Sequence, residues 1–197
     1  MFLPLLDLGI QVVGVDLAPA FVNFASAQIK PEHKANVTLI TGDACHLNDL
    51  LRKHAPASMW DKTRIVVCLN NTMNIMPAFV REAVLPEMLM CAGNDPSSCV
   101  VVGYWRGDLF KQAVSSFYKA NPALCGDFSE EEDVDYEKRT LSTPSGYTSH
   151  WMNQDEIETF FEQFPLQILS CDKVESSYLV QCKQTQKSTL QARSDSL

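Results

Sequence analysis

Two aspartates, each at the end of a strand-like apolar run, are the residues of this chain best placed to bind a ligand. The run VVGV ends in Asp16, and the run VTLITG ends in Asp43. In an open α/β sheet, ligands bind outside the carboxyl ends of the strands. Two carboxylates there suit a nucleoside, one accepting from ribose hydroxyls and the other from an exocyclic amine. The simpler alternative is that each carboxylate caps a turn or the start of a helix.

Amides and aromatic rings follow the next two buried runs. Asn70, Asn71 and Asn74 come after RIVVCL, where they suit contacts to a small molecule or form turns that cap the next helix. Tyr104 and Trp105 come after CVVVG, where their rings suit a cationic amine or pack in the core. Both interpretations of each group stay open on the sequence alone.

One histidine near the end of the chain is a candidate general base. His150 lies in SGYTSHW, just before an amphipathic helix, and a histidine pKa lies near neutrality. The alternative is a packing or surface histidine. The acidic stretch upstream of it either attracts a cationic substrate to a lid or is a solvated loop. Its acidic residues are Asp127, Glu130, Glu131, Glu132, Asp133, Asp135 and Glu137.

Composition and charge limit the class of protein. The chain has 197 residues, which suits one domain with a substantial core, and its net charge of −8 argues against nucleic acid and against an anionic membrane surface. No apolar run approaches the roughly 20 residues of a membrane span, and no basic segment marks a signal peptide. The seven cysteines form no CxxC pair or metal-ligand spacing. Together these features predict a cytoplasmic protein with reduced thiols and no metal site.

Hydrophobic periodicity predicts alternating strands and helices. The predicted strands are 10–15, 37–41, 64–69, 99–104, 166–171 and 178–182, and the predicted helices are 1–8, 19–29, 47–54, 77–93, 108–118 and 154–164. Pro86 is expected to kink or split its helix. The stretch 121–149 is predicted to be irregular, and the last two strands are predicted to pair antiparallel. We place one domain over residues 1–183, with a substrate-side insertion at about 106–150, and a disordered tail over 184–197.

These features together resemble the class I S-adenosylmethionine-dependent methyltransferases over residues 1–183. GVDLAP, TGDACHL and the closing QDEIETFFEQFPLQILSCDKV…SSYLVQCKQ carry the resemblance. It implies an α/β, Rossmann-like three-layer sandwich with a mostly parallel sheet and a C-terminal antiparallel hairpin. It also implies S-adenosyl-L-methionine as cofactor and a small-molecule acceptor, an amine being our preference.

The resemblance also assigns roles to residues. Asp16 with Leu17 would meet the ribose, and Asp43 with Ala44 the adenine. The residues after the fourth strand of the family, here Leu69 and Asn70, would lie against the cofactor. The remaining assignments are substrate contacts at Asn71, Tyr104 and Trp105, and catalytic roles at Tyr147 and His150.

The chain departs from the family pattern in one respect. The first strand of the family and its glycine-rich loop would lie before Met1. We therefore expect a truncated form that lacks the central first strand, leaves two interior strand edges unpaired, is poorly stable alone and binds cofactor weakly.

Two other functions remain open. A methyltransferase-like chain of this kind can act as a non-catalytic fragment or partner subunit of another protein. A nicotinamide-dependent oxidoreductase also uses an acidic residue at the tip of its second strand. The GDA turn and the closing antiparallel pair favour methyl transfer over the oxidoreductase.

Overall fold

The computed structural model describes residues 3–185 of the chain. The strands are β1 (Val12–Asp16), β2 (Val37–Thr41), β3 (Ile65–Cys68), β4 (Cys99–Trp105), β5 (Val134–Asp135), β6 (Thr140–Ser142), β7 (Thr148–His150), β8 (Leu166–Val174) and β9 (Ser177–Gln184). The α-helices are α1 (Leu3–Asp7), α2 (Pro19–Ala27), α3 (Leu47–His54), α4 (Thr72–Ile75), α5 (Ala78–Ala92), α6 (Phe110–Ala113), α7 (Pro122–Cys125), α8 (Glu130–Asp133) and α9 (Gln154–Phe161). The alternation of strands and helices up to β4 is as predicted.

The strands form one parallel pair, one mixed sheet, and a small sheet whose three strands lie between β4 and β8 in sequence. β1 pairs with β2 in parallel, and the mixed sheet has the order β3-β4-β9-β8. β3 and β4 are parallel, whereas β9 is antiparallel to both β4 and β8. The predicted C-terminal antiparallel pair is therefore confirmed, and among residues 3–185 the strands that pair in parallel are β1 with β2 and β3 with β4.

Among residues 3–185, no ladder of hydrogen bonds joins β1 to β3. Each of these strands is paired on one side only, β1 by β2 and β3 by β4. Ile65 and Val67 on β3 are 64% and 55% exposed, and α2 buries none of its residues. The region of β1, α2 and β3 thus leaves apolar side chains in contact with solvent.

The main core lies between the mixed sheet and helices α3, α5 and α9. Burying apolar side chains is the dominant favourable contribution to folding, and all six buried residues of α5 belong to this core. α5 runs unbroken past Pro86, so the predicted split at this proline is wrong. Pro86 has no N–H to bond the carbonyl one turn earlier in the helix. Burial of its neighbours Leu85 and Met88 keeps the helix continuous without that bond. The fully buried side chains of the main core include Met73, Leu85, Val100, Val102, Tyr104, Ile157, Phe161 and Val180.

A second, smaller core lies under the stretch predicted to be irregular. That prediction is wrong, because α7, α8 and a three-stranded antiparallel sheet, β5-β6-β7, lie within it. Leu141 on β6 is fully buried and belongs to a cluster with Phe110, Tyr118 and Trp151. A few aromatic residues far apart in sequence therefore order a segment whose local composition is polar and acidic.

The closing hairpin is longer than predicted. β9 reaches Gln184, and the Thr185 backbone N–H donates to the Pro165 carbonyl at 3.0 Å. The predicted tail therefore does not begin at 184, and its remainder, 186–197, lies outside the described residues. Within the described part of the chain, no helix is long and apolar enough to cross a membrane.

Candidate functional site

The two aspartates lie at the same edge of a parallel strand pair. Asp16 is in register with Thr41, and Asp43 follows two residues later. The Gly42 backbone N–H donates to the Asp16 carbonyl at 3.0 Å, so pairing continues up to the Gly42-Asp43 turn. Because parallel strands end at a common edge, both side chains leave the sheet at its carboxyl end.

Each carboxylate holds the turn that follows its own strand. Asp16 Oδ1 accepts from the Ala18 N–H at 2.8 Å, and Asp43 Oδ1 accepts from the Cys45 N–H at 2.9 Å. Both aspartates are exposed, and Oδ2 of each has no hydrogen-bond partner among residues 3–185. The capping alternative therefore describes one oxygen of each carboxylate, and the second oxygen remains available to a ligand.

The Asp43 carboxylate is held in its charged form. Hydrogen bonding from the backbone N–H and then the side chain of Cys45 lowers the pKa of Asp43 below its usual value, and nearby His46 lowers it further. A carboxylate that stays ionised accepts hydrogen bonds and donates none. At neutral pH this group therefore suits an amine or hydroxyl donor.

The residues beside these aspartates differ in exposure. Leu17 is 71% exposed next to Asp16, and Ala44 is half-buried next to Asp43. At the end of β3, Leu69 is half-buried, and Asn70 is exposed with a positive φ of 57°. Asn70 thus presents its side chain to solvent at the tip of the first strand of the mixed sheet.

Asn71 is fully buried and uses its whole side-chain amide inside the protein. Its Nδ2 donates to Ser149 Oγ at 3.3 Å and to the His150 carbonyl at 3.0 Å, and its Oδ1 accepts from the Trp105 N–H at 3.1 Å. The predicted substrate contact has no free polar atom for a ligand. Asn71 instead joins the tips of β3 and β4 to β7, a role that its local sequence does not reveal.

The two predicted aromatic contacts lie in the two cores. Tyr104 is fully buried, with its ring 6.2 Å edge-on from Phe161, which is the packing alternative rather than a substrate contact. Trp105 is partly exposed and packs 4.9 Å from Trp151 and 5.3 Å from Phe117. Its ring therefore closes an aromatic cluster beside the strand tips.

Tyr118 connects that aromatic cluster to Asn71 through hydrogen bonds. Its hydroxyl accepts from Trp151 Nε1 at 2.8 Å and donates to Ser149 Oγ at 2.8 Å. Tyr147 packs edge-on to Tyr118 at 6.1 Å, and burial raises its pKa. Tyr147 is therefore a neutral phenol on the rim of this cluster.

His150 lies at the end of β7, half-buried. Its Nε2 is 3.6 Å from Glu156 Oε1. Burial lowers the pKa of His150 below its usual value, Glu156 opposes the shift, and Arg81 and Arg139 add to it. The ring is therefore neutral at pH 7, the state in which an imidazole can accept a proton.

The whole arrangement of strands and helices can be compared with known structures. The chain has the fold of methyltransferase structures. It is similar to the PH0226 protein from Pyrococcus horikoshii OT3, with a TM-score of 0.59, 20% identity, and coverage of 91% of this chain and 74% of that chain.

Two further similar structures carry methyltransferase names. One is an O-methyltransferase family protein from Burkholderia thailandensis, with a TM-score of 0.51, 11% identity, and coverage of 89% of this chain. The other is N,N-8-amino-8-demethyl-D-riboflavin dimethyltransferase (RosA) from Streptomyces davawensis, with a TM-score of 0.51, 13% identity, and coverage of 88% of this chain. The chain spans only 44% and 42% of these two proteins. No known family profile and no curated protein match the sequence.

Sequence reasoning missed several residues that organise this region. Ser149, Tyr118 and Arg81 carry no local motif, because their partners are distant in sequence. Glu156 was recognisable, since Asn153 and Glu156 form a capping box at the start of α9. In the described residues, no group of three or more His, Cys, Asp or Glu side chains could hold a metal ion.

Proposed function

We propose that this chain binds S-adenosyl-L-methionine and supports methyl transfer to a small-molecule acceptor, an amine being the preferred class. The observation that carries the proposal is the pair Asp16 and Asp43, at one sheet edge, each with a free Oδ2. Carboxylate oxygens fit the ribose hydroxyls and the adenine amine of the cofactor. The acceptors present therefore fit its nucleoside half, and we propose that Leu69 and Asn70 at the tip of β3 continue the site.

The residues of the chain have three tasks in this reaction. The bound cofactor supplies an activated methyl group. Asp16 and Asp43 bind and orient the nucleoside, and the aromatic cluster around Trp105 excludes water from one side. His150, neutral at pH 7, accepts a proton from an acceptor nitrogen as that nitrogen becomes the nucleophile.

Asn71 supports the placement of His150 at this site. Its backbone follows Asn70 at the tip of β3, and its Nδ2 bonds the His150 carbonyl at 3.0 Å. The end of β7 is therefore fixed to the same edge of the mixed sheet. Tyr147 contributes a neutral phenol from the preceding turn, suited to contact an acceptor.

Titration calorimetry tests the proposed cofactor. S-adenosylhomocysteine, the product form of the cofactor, is titrated into the full chain, and NAD⁺ is titrated in parallel. Saturable binding of S-adenosylhomocysteine without NAD⁺ binding is the expected result. Binding of NAD⁺ alone would contradict the proposal and support the oxidoreductase alternative.

A second function is favoured by the exposed strand edges. β1 and β3 each lack a partner on one side within the described residues, and Ile65 and Val67 are largely exposed. Isolated proteins usually protect their exposed strand edges, and they seldom leave large apolar patches uncovered. A methyltransferase-like subunit that associates with another polypeptide explains both features, and binding of a partner without binding of S-adenosylhomocysteine would favour it.

The cytoplasmic location remains part of the proposal. All seven cysteines are free thiols. Burial raises the pKa of Cys68 to about 11 and of Cys91 to about 12, so both are unreactive. Unpaired, buried thiols suit a reducing compartment.

A further inference from the structure

His150 faces a carboxylate with one of its two ring nitrogens. Nε2 lies 3.6 Å from Glu156 Oε1, and Nδ1 has no hydrogen-bond partner among residues 3–185. In a neutral imidazole one nitrogen carries the proton and the other carries the basic lone pair. The nitrogen that carries the proton therefore decides which atom of His150 can act as a base.

The Glu156 carboxylate is fixed through its other oxygen. Oε2 accepts from Arg139 Nη2 at 2.6 Å and from the Asn153 backbone N–H at 2.8 Å. Arg139 Nε donates in turn to the Trp151 carbonyl at 3.1 Å, and the Trp151 N–H donates to the Arg139 carbonyl at 3.0 Å. These bonds tie Glu156 to the residue that follows His150 in sequence, and they leave Oε1 to face the ring.

The electrostatics of this contact distinguish the two tautomers of His150. The side chains of His150 and Glu156 are 22% and 32% exposed, so solvent screens their interaction only in part. A ring N–H directed at the Glu156 oxygen is attracted to it, whereas a nitrogen lone pair in the same place is repelled. The contact therefore favours the tautomer with the proton on Nε2.

Charged groups on three elements act on the His150 ring. Burial lowers the pKa of His150, and Glu156 on α9 raises it. Arg81 on α5 and Arg139, which precedes β6, lower the pKa further. The ring is thus neutral at rest, and Glu156 is the one of these groups that stabilises the cation formed when the ring takes up a proton.

We propose that Glu156 is a positioning residue that holds the His150 proton on Nε2 and leaves Nδ1 as the atom that accepts a proton from the methyl acceptor. In that step an N–H bond of the acceptor breaks and an Nδ1–H bond forms. The ring then carries a proton on both nitrogens, and its positive charge faces Glu156. This inference rests on the proposed role of His150 in methyl transfer and adds the atom that performs it.

Nuclear magnetic resonance of the ¹⁵N-labelled full chain tests the tautomer without any acceptor. Two-bond ¹H–¹⁵N correlation spectra distinguish a protonated ring nitrogen from an unprotonated one, and loss of a signal in His150→Gln assigns this residue. At a pH above the His150 pKa, we expect a protonated Nε2 and an unprotonated Nδ1. A parent chain with the proton on Nδ1 would overturn the proposal.

Glu156→Gln tests the cause of the tautomer. Glutamine keeps one oxygen for the Arg139 and Asn153 donors, removes the charge, and places an amide N–H donor beside Nε2. We expect a lower His150 pKa and a shift of the tautomer towards Nδ1–H. Glu158→Gln is the matched control on the same helix, because Glu158 bonds Gln154 rather than the ring, and it should change neither property. An unchanged pKa and tautomer in folded Glu156→Gln would also overturn the proposal.

Calorimetry with S-adenosylhomocysteine separates this inference from the proposed function. Glu156→Gln is expected to bind S-adenosylhomocysteine as the parent chain does, because Glu156 is not among the residues assigned to the cofactor. Absence of binding in the parent chain would contradict the proposed methyl transfer and with it the catalytic use of Nδ1. Normal binding together with a proton on Nδ1 would contradict the role of Glu156 alone.

Discussion

The side-chain amide of Asn71 donates to the backbone carbonyl of His150 at 3.0 Å, across 79 residues of sequence. This bond joins the tip of β3 to the end of β7. It fixes the candidate base to the edge of the mixed sheet at the tips of β3 and β4. The small β5-β6-β7 sheet is therefore held to this edge by the buried side chain of Asn71.

Removing the Asn71 side chain tests this connection. Asn71→Gly removes three hydrogen bonds and leaves the buried Trp105 N–H unpaired, so we expect the free energy of unfolding to fall by about 2–4 kcal/mol. Urea denaturation measures the change. Asn70→Gly is the matched control, because Asn70 also has a positive φ but is exposed. Glycine tolerates that backbone conformation, so this control is expected to change stability by less than about 1 kcal/mol. Equal losses in the two variants would contradict the assigned role.

Loss of the Tyr118 hydroxyl is expected to destabilise the second core. Tyr118→Phe leaves the Trp151 Nε1–H and the buried Ser149 hydroxyl without this partner. We therefore expect the free energy of unfolding to fall by about 1–3 kcal/mol. Tyr136→Phe is the control, since its hydroxyl bonds Glu130 at the surface. Thermal unfolding should show a lower midpoint for Tyr118→Phe than for Tyr136→Phe. The reverse order would show that the buried hydroxyl network does not stabilise this segment.

Stability is expected to fall in mild acid because of His150. Burial lowers the pKa of His150 in the folded chain, with Glu156 opposing and Arg81 and Arg139 reinforcing the shift. Below the unfolded pKa of about 6.5, the unfolded chain binds a proton that the folded chain resists, so acid favours unfolding. His150→Gln should lose less stability than the parent chain between about pH 7.5 and pH 5.5, as read from urea midpoints. An identical loss in both proteins would contradict the depressed pKa.

A methyl group at Gly103 is expected to disturb the tip of β3. An added Cβ would lie 3.2 Å from Leu69 Cδ2 and 3.3 Å from Leu69 Cα, and backbone cannot move as freely as a side-chain end. We expect Gly103→Ala to cost about 1–3 kcal/mol of stability and to weaken S-adenosylhomocysteine binding. Gly14→Ala is the comparison, since its Cβ meets only the flexible end of Leu39 at 2.9 Å. A larger loss of stability in Gly14→Ala would contradict this account of the β3 tip.

Regular elements were predictable where local pattern and tertiary packing agree. Val37–Thr41 and Leu47–His54 have the predicted bounds, because a buried apolar run and a Pro-terminated amphipathic run are each specified by a few neighbouring residues. The antiparallel pairing of β8 with β9 also followed from the closing hairpin pattern, whereas the pairing of β9 with β4 was not predicted. In contrast, the β5-β6-β7 sheet depends on Leu141 meeting aromatic residues from distant segments, and no local period indicates it.

The candidate site was predictable only in part for the same reason. Asp16 and Asp43 were recognisable because a strand end is a local feature. The role of Asn71 was not, since its partners Trp105, Ser149 and His150 are 34 to 79 residues away.

The central claim is that the free Oδ2 atoms of Asp16 and Asp43 bind one nucleoside, and calorimetric titration of S-adenosylhomocysteine into Asp16→Asn and Asp43→Asn tests it most directly. Asparagine keeps the Oδ1 acceptor for the Ala18 or Cys45 N–H and replaces the free oxygen with a donor. Each variant is expected to bind at least about tenfold more weakly than the parent chain, whereas Asp49→Asn, an exposed control on α3, binds normally. Unchanged affinity in both folded variants would contradict the claim.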